Sequence, residues 1–377
     1  MKIAIYETVH LDWVLPLCEL FGRRSDEVSI FTNIDFREDI EAVQKHQFNR
    51  FTWHFADPEA GVRTFYRQLR QFFTTDRFDV ILLNSVDARH LVVYAALRNQ
   101  TRAKVLINIH DIRNFFMHPF RPELRSLIRS AGKKILQQRA DGFLVNARAM
   151  KEYMEAHQLT KKPVFWLSPV IEKATVPTTG GEFLHVVVPG SIDERRRDYD
   201  FVLDAVEAVH TQVPGRIHLT FAGRPVGDYG SRIIGRMQEL GELGIPTAFS
   251  EDEIRETKFQ EIIASASVLL SPLRIKTSIR DATEEMYGLT KCSGNIYDAI
   301  RHGRPLVLPA GVRPPEEIVT SCLHYDSIDS LQEILLQMAQ EPGHLATLTI
   351  RAVENSGKFS FEKISHQLAE MLDAITK

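Results

Sequence analysis

Two stretches in the second half of the sequence carry side chains suited to holding an anion. In the first, Val186-Val187-Val188-Pro189-Gly190-Ser191-Ile192-Asp193-Glu194-Arg195-Arg196-Arg197, an apolar run leads into a glycine and then three arginines. Glycine admits close backbone approach to a ligand, and guanidinium groups grip phosphate through paired hydrogen bonds. Gly190, Arg196 and Arg197 are therefore candidates for binding a phosphate-bearing ligand. The competing reading is a solvated turn in which Asp193 and Glu194 pair the arginines, because exposed charge runs contribute little.

The second stretch is Tyr287-Gly288-Leu289-Thr290-Lys291-Cys292-Ser293-Gly294-Asn295-Ile296-Tyr297-Asp298, where small and hydroxyl residues open a helix. The first N–H groups of a helix lack intrahelical partners and lie at its positive end. Thr290, Ser293 and the Gly294 N–H are placed to hold a diphosphate, with Lys291 adding charge. Asp298, one turn further in, is placed to take ribose hydroxyls. The alternative is an ordinary serine cap with Asp298 on the surface. A Walker loop is excluded, because the order Gly-x4-Gly-Lys-Ser/Thr is absent.

In the first half, Asn108-Ile109-His110-Asp111 closes an apolar run. His110 at a strand end can hydrogen-bond a sugar or phosphate with Asp111 beside it, or cap the next turn as a structural histidine. Glu7 and His10 follow the first apolar run and face the same way, as ligand contacts or as a loop pair. Glu284 and Glu285 are expected in a long loop ahead of Thr290. No cluster has metal-ligand spacing, so no metal and no cofactor are expected.

These residues need strands to carry them. Short apolar runs at 3–6, 28–31, 51–55, 79–84, 104–109, 142–146 and 164–167 alternate with helical spacing at 11–21, 62–73, 88–97, 122–139 and 147–157. That alternation is the pattern of a parallel sheet covered on both faces. Residues 172–182 break it with Pro177, Thr178, Thr179, Gly180 and Gly181, a linker composition with a hinge candidate at 178–181. A second series follows. Strands are expected at 184–188, 217–221, 268–271 and 306–308, and helices at 199–211, 230–243, 253–264 and most of the chain after 329. The chain thus reads as α/β, with two doubly wound units in series and a ligand cleft expected between them.

Composition sets the outer limits. A chain of 377 residues is comfortable for two domains. With 44% hydrophobic and 25% charged residues it can build a core in each. A net charge of -3 argues against a nucleic-acid binder. No apolar run reaches the roughly 18–20 residues of a spanning helix. Cys18, Cys292 and Cys322 form neither a disulfide framework nor a zinc pattern, and the opening strand pattern has no signal-peptide layout. A reduced cytoplasmic protein is expected.

The ordered set of features resembles the retaining GT-B glycosyltransferases, the glycosyltransferase group 1 class. Val188-Pro189-Gly190-Ser191 through Arg196-Arg197 to Phe201-Val202-Leu203-Asp204-Ala205 matches the family's strand, glycine turn and helix. Leu219-Thr220-Phe221-Ala222-Gly223 and Val268-Leu269-Leu270-Ser271-Pro272 match its next two strand ends. Glu285-Met286-Tyr287-Gly288 and Asp298-Ala299-Ile300-Arg301-His302-Gly303-Arg304-Pro305 match its acidic motifs. Phe359-Ser360-Phe361-Glu362 is similar to the tail that returns to the first domain. In the first half, His110-Asp111 and Ala140-Asp141-Gly142-Phe143-Leu144-Val145-Asn146 look like family strand ends. Three positions depart. Ser191 stands where the family has arginine. Glu285 and Asp298 lie farther apart than the family's acidic pair. Glu7-Thr8-Val9-His10 replaces a glycine-rich loop.

The resemblance implies two Rossmann-like domains, residues 1–172 on the acceptor side and 180–358 for the nucleotide sugar, with the C-terminal helix 359–377 packing on the first. It implies metal-independent transfer of a sugar from a nucleotide diphosphate sugar to an acceptor hydroxyl, in bacterial-type surface glycan or glycoconjugate synthesis. Under it, His110 and Glu285 are the catalytic candidates. Gly190, Arg196, Arg197, Thr290, Lys291, Ser293, Gly294 and Asp298 bind the donor, while Glu7, His10 and Asp111 face a glycan or lipid-linked acceptor. The departures keep two alternatives open, a non-catalytic GT-B-like binder of nucleotide sugar or partner, and a nucleotide-sugar epimerase. Residues 121–139 also read as an amphipathic basic helix, suited either to packing on the sheet or to a peripheral contact with the inner face of a membrane.

Overall fold

A computed structural model describes residues 1–43, 48–57, 59–86, 88–117, 123–171, 174–175, 183–279 and 283–377. The hinge candidate at 178–181 and Arg121 of the basic stretch lie outside the described residues. The chain divides into two compact units. The first contains Met1–Val170 and Phe361–Lys377, and the second contains Ile171–Ile279 and Glu284–Ser360.

In the first unit, β1 (Lys2–Glu7), β2 (Glu27–Asn33), β3 (Phe51–Ala56), β4 (Val80–Ser85), β5 (Lys104–Ile109), β6 (Gly142–Val145) and β7 (Val164–Trp166) form one sheet. Their order is β3-β2-β1-β4-β5-β6-β7, and every pairing is parallel. Helices α1 (Leu11–Gly22), α2 (Arg37–Val43), α3 (Val62–Thr75), α4 (His90–Leu97), α5 (Ile112–Phe116), α6 (Leu124–Arg139) and α7 (Arg148–Ala156) intervene. All six residues of β4 are buried, as a strand covered on both faces requires. α3 shows how one helix covers a sheet: Phe65, Leu69, Phe72 and Phe73 are buried on one side, and Arg63, Arg67 and Arg70 are exposed on the other.

The second unit repeats the plan. Its strands are β8 (Leu184–Pro189), β9 (Ile217–Ala222), β10 (Thr247–Ala248), β11 (Val268–Leu270), β12 (Lys276–Ile279), β13 (Thr283–Met286), β14 (Leu306–Pro309) and β15 (Cys322–Tyr325). Six of them form a parallel sheet in the order β10-β9-β8-β11-β14-β15, while β12 and β13 pair separately. Its helices are α8 (Tyr199–Gln212), α9 (Gly227–Glu242), α10 (Glu256–Ser265), α11 (Gly294–His302), α12 (Ile328–Gln340) and α13 (Pro342–Ser356). Gly303 ends α11 in the left-handed region, at φ 56°. Its own N–H reaches Ile300 O at 3.2 Å, and the Arg304 N–H reaches Ala299 O at 2.9 Å. Glycine at this position lets the chain leave the helix and enter β14 three residues later.

The last helix, α14 (Phe361–Thr376), belongs to the first unit. Ile364, Leu368, Met371, Leu372 and Ile375 lie along one face and join Ile3, Ile5, Leu17 and Leu144 in its core. Gly142 makes room for it, since a Cβ there would lie 3.0 Å from Ile375 Cδ1.

The structure corrects two expectations about elements. Glu284 and Glu285 are not in a loop but on β13, where Glu285 is fully buried and Glu284 faces Lys276 at 3.6 Å. The β12–β13 ribbon buries one side of each strand, so it shows alternation rather than an apolar run. The sequence pattern also misses strand β15, whose buried Cys322 and Tyr325 flank the less buried Leu323 and His324, giving neither an apolar run nor an alternation. In α6, Lys133 is not a solvated cation. It is buried, and its ammonium donates to the Asn114 backbone oxygen at 2.6 Å and to Oδ1 at 2.9 Å. The apolar residues at the start of α6 are open instead, with Leu124, Leu127 and Ile128 at 71%, 42% and 49% exposure.

Candidate functional site

In a doubly wound sheet, ligands bind beyond the carboxyl ends of the strands, where the strand order reverses. In the second unit that point lies between β8 and β11. Gly190 follows β8 with φ 93°, a conformation that favours glycine. A Cβ on Gly223, after β9, would collide with the Gly190 carbonyl, so both turns run as bare backbone. The Tyr199 hydroxyl donates to Gly190 O at 2.8 Å and fixes the turn from below.

Arg197 lies against this turn. It is only 7% exposed, and any Cβ on Gly190 would collide with its guanidinium. Nη1 donates to Ser191 O at 3.2 Å and Nη2 to Asn295 Oδ1 at 3.3 Å. Asn295, in the first turn of α11, donates in turn to Pro189 O at 3.2 Å and Ser271 Oγ at 2.8 Å. A buried guanidinium thus ties the ends of β8 and β11 to the start of α11. The sequence reading gives Arg197 to a phosphate; in the structure each of its Nη groups also donates to the protein itself. Its buried Nε has no hydrogen-bond partner among the described residues.

Arg195 and Arg196 behave differently. Arg195 donates to Asp193 through Nε at 3.1 Å and Nη2 at 2.9 Å. Burial opposes the charge on Asp193, but the hydrogen bonds and charge of Arg195 hold its carboxyl below the usual range. The charged-turn reading therefore holds for Arg195. Arg196 is 41% exposed and only 3.8 Å from Asp193, a loose pairing that leaves its guanidinium on the surface.

Helix α11 begins just past this turn. Ser293 is its N-cap, buried, with a hydroxyl that makes no capping bond to the helix. Gly294, the first helical residue, has nothing within 4 Å of the position a Cβ would occupy. Lys291 is half-buried just ahead of the helix, and Asp298 is half-buried on it. Thr290 requires a correction. It is fully buried, and its Oγ1 accepts the Met286 N–H at 2.7 Å, closing the turn around Gly288. Its hydroxyl shapes the loop and does not point to a ligand.

In the first unit the strand order reverses between β1 and β4. Glu7, at the end of β1, is fully buried. Its Oε1 accepts the N–H groups of Val9 at 2.8 Å and His10 at 3.0 Å. Its Oε2 accepts Asn84 Nδ2 at 2.6 Å and the Ser85 hydroxyl. Burial pushes this carboxyl up, against the pull of His10 and these donors. Glu7 is thus corrected from an acceptor contact to an interior group, because both of its oxygens are taken by the protein. His110, after β5, is half-buried. Its Nε2 lies 2.9 Å from Ser85 Oγ and 2.8 Å from Asn84 O, and its Nδ1 lies 2.9 Å from Asn146 Nδ2. His10 and Trp13 flank it, with ring centroids 5.4 Å and 5.7 Å away. Asp111 is half-buried at the start of α5.

Within each unit, then, the candidates converge. Gly190, Ser293 and Gly294 gather around the Arg197–Asn295 tie, and Glu7, His10 and His110 share one network. Sequence reasoning missed Asn84, Ser85, Asn146, Ser271 and Asn295 as parts of these networks. The available signal was a polar residue closing an apolar strand, as in Leu82-Leu83-Asn84-Ser85. Among the described residues, no group of three or more His, Cys, Asp or Glu side chains could hold a metal ion. No helix among them is long and apolar enough to cross a membrane.

Comparison with known proteins bears on the fold. Residues 13–172 match the model of Glycosyltransferase Family 4. No curated protein matches the sequence. Among solved structures, sucrose-phosphate synthase from Thermosynechococcus elongatus superposes with a TM-score of 0.69 at 16% identity, covering 99% of this chain and 98% of that one. A Staphylococcus aureus TarM mutant, solved with Fondaparinux, alpha-GlcNAc-glycerol and UDP, gives 0.67 at 10% identity, covering 99% of each chain. Anabaena Alr3699/HepE, solved with UDP and glucose, gives 0.64 at 15% identity, again covering 99% of each. The fold is therefore that of the GT-B glycosyltransferases, with a match to Glycosyltransferase Family 4 over most of the first unit.

Proposed function

We propose that this protein transfers a sugar from a nucleotide diphosphate sugar to an acceptor hydroxyl, with retention of configuration and without a metal. The observation that carries the reading is the bare-backbone turn at Gly190 beside the start of α11, in a chain whose first unit matches a glycosyltransferase family. The leaving diphosphate gains charge as the glycosidic bond breaks, and fixed donors aimed at that charge lower the barrier. The N–H groups at Gly294, the Ser293 hydroxyl and the cations of Arg196 and Lys291 supply such donors. Asp298 takes the ribose. His110 and Glu285 serve the sugar, and His10 and Asp111 the acceptor. The buried position of Glu285 on β13 suits a carboxylate held rigidly.

Uridine diphosphate sugars are the first donors to test, since TarM and HepE were solved with UDP. The acceptor side fits a glycan or lipid-linked acceptor in surface glycan synthesis at the inner face of a membrane. The open Leu124, Leu127 and Ile128 beside Arg125, Arg129 and Lys134 would provide the contact. The test is a panel of radiolabelled UDP, GDP, ADP and TDP sugars, followed for hydrolysis or transfer. Turnover of one donor is expected. If saturable binding occurs without turnover of any donor, the protein is a nucleotide-sugar binder, the reading that Ser191 in the family's arginine position favours. Conversion of one free nucleotide sugar into another without acceptor would instead mark an epimerase.

A further inference from the structure

Glu7 is sealed from solvent, yet each of its hydrogen-bond partners among the described residues is a donor: two backbone N–H groups, the Asn84 amide and the Ser85 hydroxyl. A carboxylate accepts four hydrogen bonds and donates none, so this shell is matched to the ionised form. The Ser85 hydroxyl has one proton and gives it to Glu7. Ser85 therefore turns lone pairs toward His110 Nε2, 2.9 Å away. The Asn84 carbonyl, 2.8 Å from the same nitrogen, can only accept. Both partners require that Nε2 carry the proton. On the other side of the ring, the Asn146 amide meets Nδ1 at 2.9 Å. As placed, it donates to a bare Nδ1; turned over, it would accept from a protonated one.

We propose that Glu7 acts through Ser85 as a positioning residue, locking His110 in the Nε2–H tautomer and supporting its protonated form. The polarity of the chain runs one way: His110 Nε2–H donates to Ser85 Oγ, and Ser85 O–H donates to the Glu7 carboxylate. A negative charge at the far end makes this the direction in which imidazolium is stabilised. Among the described residues, Glu7 and His10 approach the ring from the end of β1, and Asp111 lies beside it in sequence. Of these, Glu7 is linked to His110 through the hydroxyl of Ser85. The inference rests on the transferase reading only for its effect on turnover; the tautomer is a property of the first unit without ligand.

The decisive variant is Glu7→Gln, which is isosteric but carries a donor where Oε2 stood. Its new side-chain amide, donating to Ser85, turns the serine proton toward His110, so that Ser85 favours a bare Nε2 with the proton on Nδ1 and only the Asn84 carbonyl still favours Nε2–H. Imidazole nitrogen-15 spectra of the full chain, without ligand, read this directly. The wild type is expected to show His110 as Nε2–H. Glu7→Gln is expected to shift it toward Nδ1–H and to make it titrate at lower pH. Ser85→Ala should also lower the titration, and Ser85→Thr, which keeps a hydroxyl, should restore it. A thermal melt establishes that each variant is folded. An unchanged tautomer and titration in folded Glu7→Gln and Ser85→Ala would overturn the proposal, as would a wild-type Nδ1–H form. If the spectra respond as expected but no donor is turned over, the relay stands and the transferase reading falls. If a donor is turned over, Glu7→Gln should lower kcat with KM little changed, since Glu7 is sealed from any substrate.

Discussion

At Gly190 the chain turns with φ 93° beside the Arg197 guanidinium, and at Gly294 a helix opens with no atom near the missing Cβ. These two glycines were legible in the sequence because close backbone approach calls for that residue type. The arginines between them were not separable in the same way. Arg195, Arg196 and Arg197 look alike in sequence, yet Arg195 is exposed and paired with Asp193, Arg196 is half-buried and only loosely paired, and Arg197 is buried. Lys291 is the cation expected to meet the diphosphate. Lys291→Ala should weaken nucleotide binding by roughly 1–3 kcal/mol, the scale of a charge-assisted hydrogen bond. Isothermal calorimetry measures it, and an unchanged affinity in a folded variant would remove Lys291 from the site.

At the level of elements, two helices of the first unit behave differently. α14 inserts Leu368 into the core beside residues of β1, so it is a structural part of a sheet begun more than 300 residues earlier. Leu368→Ala is expected to destabilise the first unit by about 2–5 kcal/mol, the usual range for a buried leucine. Denaturant unfolding would show it as an earlier transition of that unit, and a loss below ~1 kcal/mol would mean that α14 packs loosely. α6 presents the opposite case, an apolar start left open between cations. Sedimentation with anionic vesicles at low salt should carry the wild type down, with each cation contributing about 1 kcal/mol near such a surface. Changing Arg125, Arg129 and Lys134 to Glu should leave the protein in solution. Lys133 is kept, because its ammonium holds Asn114. Equal sedimentation of both forms would exclude charge-driven docking through this helix.

For the whole molecule, stability should depend on pH in a stated direction. Burial is the leading reason that His54, His185, His218 and His302 are all pushed below the ordinary histidine range, His302 to about 4 with help from Arg301 and Arg304. A histidine depressed in the folded state binds fewer protons than it does unfolded. Its contribution is therefore present above about 6.5, the unfolded value, and is lost as pH falls toward the folded value. Asp193 and Asp200 add to the same trend at lower pH, through Arg195 and Arg232, with Asp200 held at about 2. Glu7, raised by burial, opposes it. The thermal midpoint is expected to fall between pH 6.5 and 4, with a shallower fall in His302→Gln. A flat profile across that window would contradict the lowered titration of these half-buried histidines.

The class of this protein and the places to look follow from the pattern of its residues. Apolar runs alternating with amphipathic ones require parallel sheets covered by helices, and such sheets expose ligand-binding residues only at their strand ends. Gly190 and His110 are candidates by that rule, and the start of α11 is one by its small and hydroxyl residues. Tertiary structure decided which polar groups are spent inside the protein. Glu7, Thr290 and Arg197 have the chemistry of ligand contacts, but partners distant in sequence or folded back on the same loop occupy them: Ser85, Met286 and Asn295. Hydrogen-bond partnership depends on distances of about 3 Å between groups that only the packed fold brings together, and no local pattern records it.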